Sequence, residues 1–170
     1  MIKIELALMK DIEKVKNITD ACALDMISKN IYQWNSKYPS IKIFRDDIKN
    51  NRLYVAKYNK HKIVGCISLS TQKDIEYKNV KWLTKDHNNL YVHRLAVDPR
   101  FQKKGIGKSL MDFAENYAKA KDFKSIRLDT FSQNKRNNKF YKSRNYIQLD
   151  DVFFPKQSES PFHCYEKKLN

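Results

Sequence analysis

The residues best suited to hold a ligand stand in one short run, Gln102-Lys103-Lys104-Gly105-Ile106-Gly107-Lys108-Ser109. It lies between a strand-like segment ending at Val97 and a stretch in which Ile106, Leu110, Phe113, Ala114, Tyr117 and Ala118 recur at helical spacing. A strand-to-helix junction presents unpaired backbone N–H groups and the positive end of the helix dipole, and glycines let an anion approach the main chain closely. The run is therefore expected to hold a phosphate.

Two familiar phosphate-binding patterns fail here at a required position. A dinucleotide fingerprint needs a third glycine where Leu110 stands, and a P-loop needs one where Gln102 stands. Other chemistry-bearing residues show less order. Cys22, Cys66 and Cys164 are far apart in apolar-patterned segments, so buried free thiols are expected rather than a redox site. The histidines, His61, His87, His93 and His163, lack ligand spacing, and no metal is expected. His93 titrates near neutrality and is a candidate base, with Asp129 and Glu76 as weaker ones; no single base is singled out. The formal net charge of +15 suits an anionic cofactor, an anionic surface or nucleic acid. Two stretches carry base without acid: Arg100, Lys103, Lys104 and Lys108, then Lys135, Arg136, Lys139, Lys142 and Arg144.

The elements that must position these residues follow from periodicity. Residues 2–8 alternate as a strand, and Ile12, Val15, Ile18, Cys22 and Met26 form one face of a long helix. An aromatic, aperiodic loop from Ile31 to Pro39 leads to a short second helix, Phe44 to Asn50. Arg52 to Tyr58 and Lys62 to Thr71 read as a hairpin around Asn59-Lys60-His61. A polar insertion, residues 72–89, precedes the strand Leu90 to Val97, which Pro99 ends. After the helix at the glycine loop come a strand from Ser125 to Phe131, a helix from Asn134 to Ser143, and an antiparallel pair, Tyr146 to Phe154 and Phe162 to Leu169. This order implies one α/β (α+β) domain over residues 1–170, a mixed sheet with helices on both faces. No apolar run is long enough to span a bilayer and the start lacks a secretory pattern, so the cytoplasm is the expected location.

Around the glycine loop the sequence resembles the GNAT superfamily of acetyl-CoA-dependent N-acetyltransferases, whose main motif is Q/R-x-x-G-x-G/A after a strand and a short turn. The run from Leu95 to Gly107 fits it in residue type, spacing and context. A second match is to N-x-x-A-x-x-F/L-Y-x-x-x-G-F, here Asn134-Lys135-Arg136-Asn137-Asn138-Lys139-Phe140-Tyr141-Lys142-Ser143-Arg144-Asn145-Tyr146. Asn137 replaces the usual alanine, a change expected to leave the chemistry untouched. Asn145 replaces the usual glycine at a helix end, where asparagine tolerates the left-handed conformation.

The resemblance implies a mainly antiparallel sheet whose central strand pair splays, the strand of Leu95, Ala96 and Val97 parting from that of Ile126 to Thr130. The pantetheine arm of acetyl-CoA would lie in the gap, paired with free main-chain groups of residues 95–97. Its pyrophosphate would rest on the N–H groups of Gln102, Lys103, Lys104, Gly105, Ile106, Gly107 and Lys108. Tyr141 would protonate the departing sulfur and Asn134 would contact the arm; a core tyrosine and a helix N-cap are the ordinary roles open to the same residues. The expected function is transfer of an acetyl group to a primary amine in a ternary complex. Tyr32, Trp34, Tyr38 and Trp82, with His93, are candidates to wall an acceptor pocket, and the aromatics can equally serve as a lid over the sheet. Small-molecule and protein or peptide amines both remain open, as do monomer and homodimer. Two other readings stand beside this one. A basic nucleic-acid-binding module lacks any recognisable binding signature here. A CoA-binding domain of this type without turnover is opposed by Tyr141.

Overall fold

Apolar residues two apart along the strands and three to four apart along the helices meet across one seven-stranded sheet. The computed structural model describes residues 1–169 and begins with β1 (Ile2–Leu6), α1 (Ile12–Ile27) and α2 (Ile41–Lys49). Next come β2 (Leu53–Tyr58), β3 (Lys62–Ser70), β4 (Asn89–Val97), α3 (Ile106–Ala120), β5 (Ser125–Phe131), α4 (Lys135–Ser143), β6 (Ile147–Val152) and β7 (Phe162–Lys168). The order is the one expected from periodicity, and several bounds differ by one to three residues. The first strand stops at Leu6 because the Leu8 N–H donates to Asp11 Oδ2 at 2.9 Å and a 3-10 turn begins. α2 starts at Ile41 rather than Phe44 because Ser40 caps it, accepting from the Ile43 N–H at 3.3 Å. At the β2–β3 corner Asn59 and Lys60 take φ of 48° and 71°, the doubly left-handed turn that matches strand twist without needing glycine here.

The strands lie in the order β1-β2-β3-β4-β5-β7-β6, antiparallel except for the parallel pair β4–β5. Leu53, Val55 and Cys66 bury against Val15, Ile18 and Cys22 of α1 and Phe44 of α2. On the other face Ala56, Val64 and Ile67 pack with Ile106, Leu110 and Met111 of α3. Each fully buried aliphatic side chain of this kind contributes about 1.5–3 kcal/mol, so the two layers hold the sheet from both sides.

What matters for function is where that sheet opens. β4 and β5 pair only at Asn89↔Ser125, Leu90↔Ile126 and Tyr91↔Arg127, and then part. A bulge accompanies the parting: Cys66 faces Ala96 and Ser68 faces His93, so Ile67 opposes both Arg94 and Leu95, and Arg94 takes φ of 51°. An extra residue of this kind bends and twists its strand, which carries the end of β4 away from β5.

The insertion of residues 72–89 is pinned by a buried charge. Arg127 of β5 donates to Asp86 Oδ1 at 2.6 Å, the Thr84 carbonyl at 2.5 Å, the Tyr91 hydroxyl at 3.0 Å and Glu166 Oε1 of β7 at 3.0 Å. Its guanidinium carbon lies 4.5 Å from the Trp82 ring centre. A lysine offers a point charge in place of this fork, so Arg127→Lys is expected to lower the unfolding free energy by about 1.5–3 kcal/mol. Urea unfolding measures it, and an unchanged midpoint would mean that the fork does not hold the insertion. Among the described residues no helix is long and apolar enough to cross a membrane.

Candidate active site

The parted strands, α1, the glycine loop and α4 enclose a cavity of about 580 Å³. Leu95, Ala96 and Val97 line it from β4, Gln102, Lys103, Gly105, Ile106, Gly107 and Lys108 from the loop and the start of α3, and Asn134 and Tyr141 from around α4. Lys104 is the exception among the residues expected there: its ammonium sits 4.9 Å from the Phe101 ring centre. Gly105 takes φ of 77°, a left-handed conformation costly for residues with a Cβ. The helical ladder begins only with the Ser109 N–H on the Gly105 carbonyl at 2.9 Å, so among the described residues the N–H groups of residues 105–108 have no acceptor. Such a row of free donors at a helix start receives an anion.

The cations around this cavity are Lys103, Lys108, Arg136 and Lys29, the last not anticipated. Of the second basic stretch only Arg136 reaches the wall, its NH1 donating to Gln102 Oε1 at 2.7 Å. Arg144 is instead bound to Asp112 and Glu115. One of the expected free main-chain groups is also committed, because the Val97 carbonyl accepts from Gln102 Nε2 and from the Cys22 thiol, both at 3.2 Å.

Asn134 is the N-cap of α4, its Oδ1 accepting from the Asn137 N–H at 3.1 Å while its Nδ2 donates to Gln33 Oε1 at 2.9 Å. At the other end Asn145 holds φ of 65°, the left-handed exit for which glycine is usual. Between them Tyr141 is only 5% exposed and packs against Tyr146 and Tyr165, each with ring centres 5.9 Å away. Its hydroxyl has no hydrogen-bond partner among the described residues and faces the cavity. Burial pushes the phenol well above its ordinary pKa, so it carries its proton at neutral pH.

A second, narrow cavity of about 60 Å³ adjoins the first, and both are lined by Gln33, Trp34, Leu95, Asn137 and Tyr141. Asn137 thus stands on the shared wall, where the sequence pattern suggested a neutral change. Trp34, Tyr38 and His93 line the narrow cavity as expected. Tyr32 and Trp82 do not: Tyr32 is half exposed with its hydroxyl toward Asn30, and Trp82 lies over Arg127. Glu76 is also off the wall, whereas Asp129, a weaker candidate, is on it together with Asp74, which no pattern singled out. Burial pushes the Asp129 carboxyl up to about 7 although it accepts from the Tyr77 hydroxyl, and pushes Asp74 up to about 6. His93 is driven the other way, down to about 3, by burial and then by the charges of Arg94 and Arg52. It is therefore neutral at physiological pH and a poorer base than Asp129, a reversal of the expected ranking. Arg94 is occupied by Asp47, through Nε at 2.9 Å and NH2 at 2.6 Å.

Residues 14–146, well over half of the chain, match the Acetyltransferase (GNAT) family. The chain belongs to that family. It is 24% identical over 166 residues to the uncharacterized N-acetyltransferase YesJ of Bacillus subtilis (strain 168), covering 96% of this chain and 88% of YesJ. To the probable N-acetyltransferase 14 of Xenopus tropicalis it is 28% identical over 109 residues, 63% of this chain; the match spans under half, 46%, of the frog protein. The fold of this GNAT chain is also that of the PaiA N-acetyltransferase from Thermoplasma acidophilum, solved in complex with coenzyme A, with a TM-score of 0.71, 21% identity and 99% of each chain covered. A large cavity lined by free N–H donors and by Lys103, Lys108 and Arg136 suits the phosphate-bearing acyl-CoA donor that the GNAT family uses.

Proposed function

We propose that this GNAT chain is a single-domain, cytoplasmic N-acetyltransferase that moves the acetyl group of acetyl-CoA to a primary amine by direct attack in a ternary complex. The observation that carries this reading is the placement of Tyr141, an unpartnered, buried hydroxyl on the wall shared by an anion-receiving cavity and a carboxylate-bearing one.

Acetyl-CoA, when bound, supplies a thioester carbon open to attack and a thiolate leaving group. The N–H groups of residues 105–108, with Lys103, Lys108 and Arg136, hold its phosphates, and the main chain of Leu95 and Ala96 holds its arm. Asp129 takes a proton from the incoming ammonium, and Tyr141 gives one to the departing sulfur. As the C–N bond forms and the C–S bond breaks, the nitrogen gives up a second proton, which makes good the one Tyr141 gives to sulfur, so the net release to solvent is the proton taken by Asp129.

The groups facing Asp129 are Tyr77, Asp74, Glu76 and Arg94. With Asp129 as base, kcat/KM should rise with pH through about 7 and level off until the free amine loses its own proton, and Asp129→Asn should remove that limb. Stability should respond with the opposite sign. The folded-state pKa of Asp129 lies above its ordinary 3.8, so its contribution is complete below that value and is lost as pH rises through about 7. Asp129→Asn is therefore expected to raise Tm at about pH 8 and leave it unchanged near pH 4. A variant that keeps the wild-type limb would show that the proton goes elsewhere.

A further inference from the structure

In a chain of net charge +15, the narrow cavity carries two carboxylates, Asp74 and Asp129, on its wall. Among the described residues neither Asp74 nor Asp129 has a lysine or arginine nitrogen within ion-pair distance. The near neighbour of Asp74 is the His93 ring at 3.7 Å, which is neutral, and the partner of Asp129 is the Tyr77 hydroxyl. The one cation on the wall, Arg94, is ion-paired with Asp47 and acts on Asp74 and Asp129 only from beyond ion-pair distance. Two further groups independently mark the cavity as a place for a ligand. Tyr141, 5% exposed, and the His93 side chain, 9% exposed, both line the cavity, and among the described residues neither side chain makes a hydrogen bond. The same cavity is also lined by aromatic side chains, Trp34, Tyr38, Phe154 and Phe162.

We infer that the acceptor is a small diamine or polyamine, bound as a dication, with one ammonium at Asp129 for acylation and a second held by Asp74. The inference rests on the amine-acylation reading above and adds to it a distal cation site. Two carboxylates without a lysine or arginine ion-pair partner attract a second positive charge and repel an acceptor that ends in a carboxylate, which disfavours amino acids. A cavity of about 60 Å³ has room for a thin methylene chain of a few water volumes rather than a ring system. The aromatic walls take the apolar methylenes and add attraction for a nearby ammonium. The two halves of the site thus carry opposite charge: cations where the phosphates go, carboxylates where the amine goes.

Three four-carbon compounds that differ only at the far end isolate this claim: butylamine, 1,4-diaminobutane and 4-aminobutanoate, each assayed with acetyl-CoA by thiol release. The diamine is expected to exceed butylamine in kcat/KM by about 10- to 100-fold, the worth of one charge-assisted contact, and 4-aminobutanoate to fall below both. Asp74→Asn should collapse the ratio of diamine to butylamine toward unity, mainly through KM, and added salt should shrink the wild-type ratio. Equal kcat/KM for diamine and butylamine, or a ratio unchanged in Asp74→Asn, overturns the distal site while acyl transfer to amines stands. If no amine is turned over although CoA binds, the transferase reading fails. Calorimetry of 1,4-diaminobutane with CoA-bound protein then decides the site separately: binding lost in Asp74→Asn supports it, and no binding to wild type removes it.

Discussion

Tyr141→Phe is expected to lower kcat by about 10²- to 10⁴-fold while leaving the affinity for CoA almost unchanged. The ring is what packs against Tyr146 and Tyr165, and phenylalanine keeps it. The hydroxyl, in contrast, has no protein partner to lose, so its removal leaves no buried group unsatisfied and the fold should not suffer. The loss should appear in the chemical step, where negative charge develops on sulfur, and single-turnover measurements across a pH series separate it from slow product release. Full single-turnover activity in the variant would make Tyr141 a packing residue and would take the acid assignment with it.

Gly107→Trp is expected to abolish acetyl-CoA binding in a protein that still folds. A Cβ at this position would meet only Val97 Cγ2, at 3.8 Å, so the backbone has room for a side chain, but the indole would enter the cavity. Gly105 is a poorer probe although it lies in the same loop. Its φ of 77° would charge any replacement about 1–2 kcal/mol of strain, mixing stability with binding. In the wild type, acetyl-CoA at about 100 times its Kd should stabilise the fold by about 2.7 kcal/mol and raise Tm, whereas NAD and ATP should not. The same Tm rise in a folded Gly107→Trp variant would mean that the donor binds somewhere else.

The lining of the large cavity was legible in the sequence because much of it is local. Gln102 to Lys108 is contiguous, its proposed role rests on backbone N–H groups, and a strand, a turn and a helix stripe around it all agree. The same holds for α4, where Asn134 caps one end and Asn145 exits left-handed at the other. The acceptor side is assembled from distant segments and was only partly readable. Trp34 and Tyr38 stood out as aromatics in an irregular loop, but Trp82, of the same type, is taken by Arg127, a partner that only the β5–β7 register reveals. Asp74 carries no pattern at all: it is one acid in a polar insertion, and its place depends on the buried fork of Arg127 that holds that insertion down. The ranking of His93 over Asp129 failed for a related reason. Ordinary pKa values favour histidine as a base, and burial reverses the order by lowering one and raising the other. Of the two basic stretches, Lys103, Lys108 and Arg136 reach the cavity wall, whereas Arg144 is spent on Asp112 and Glu115, a difference that spacing along the chain does not show.

The most direct test of the whole account is to incubate the protein with acetyl-CoA and a panel of primary amines, following free thiol release together with product mass. The account predicts acceptor-dependent thiol release in step with a product heavier than the amine by one acetyl group, at a rate that collapses in Tyr141→Phe. Saturable CoA binding with no acylated product from any amine would contradict it, and would leave a chain that binds the donor without transferring its acyl group.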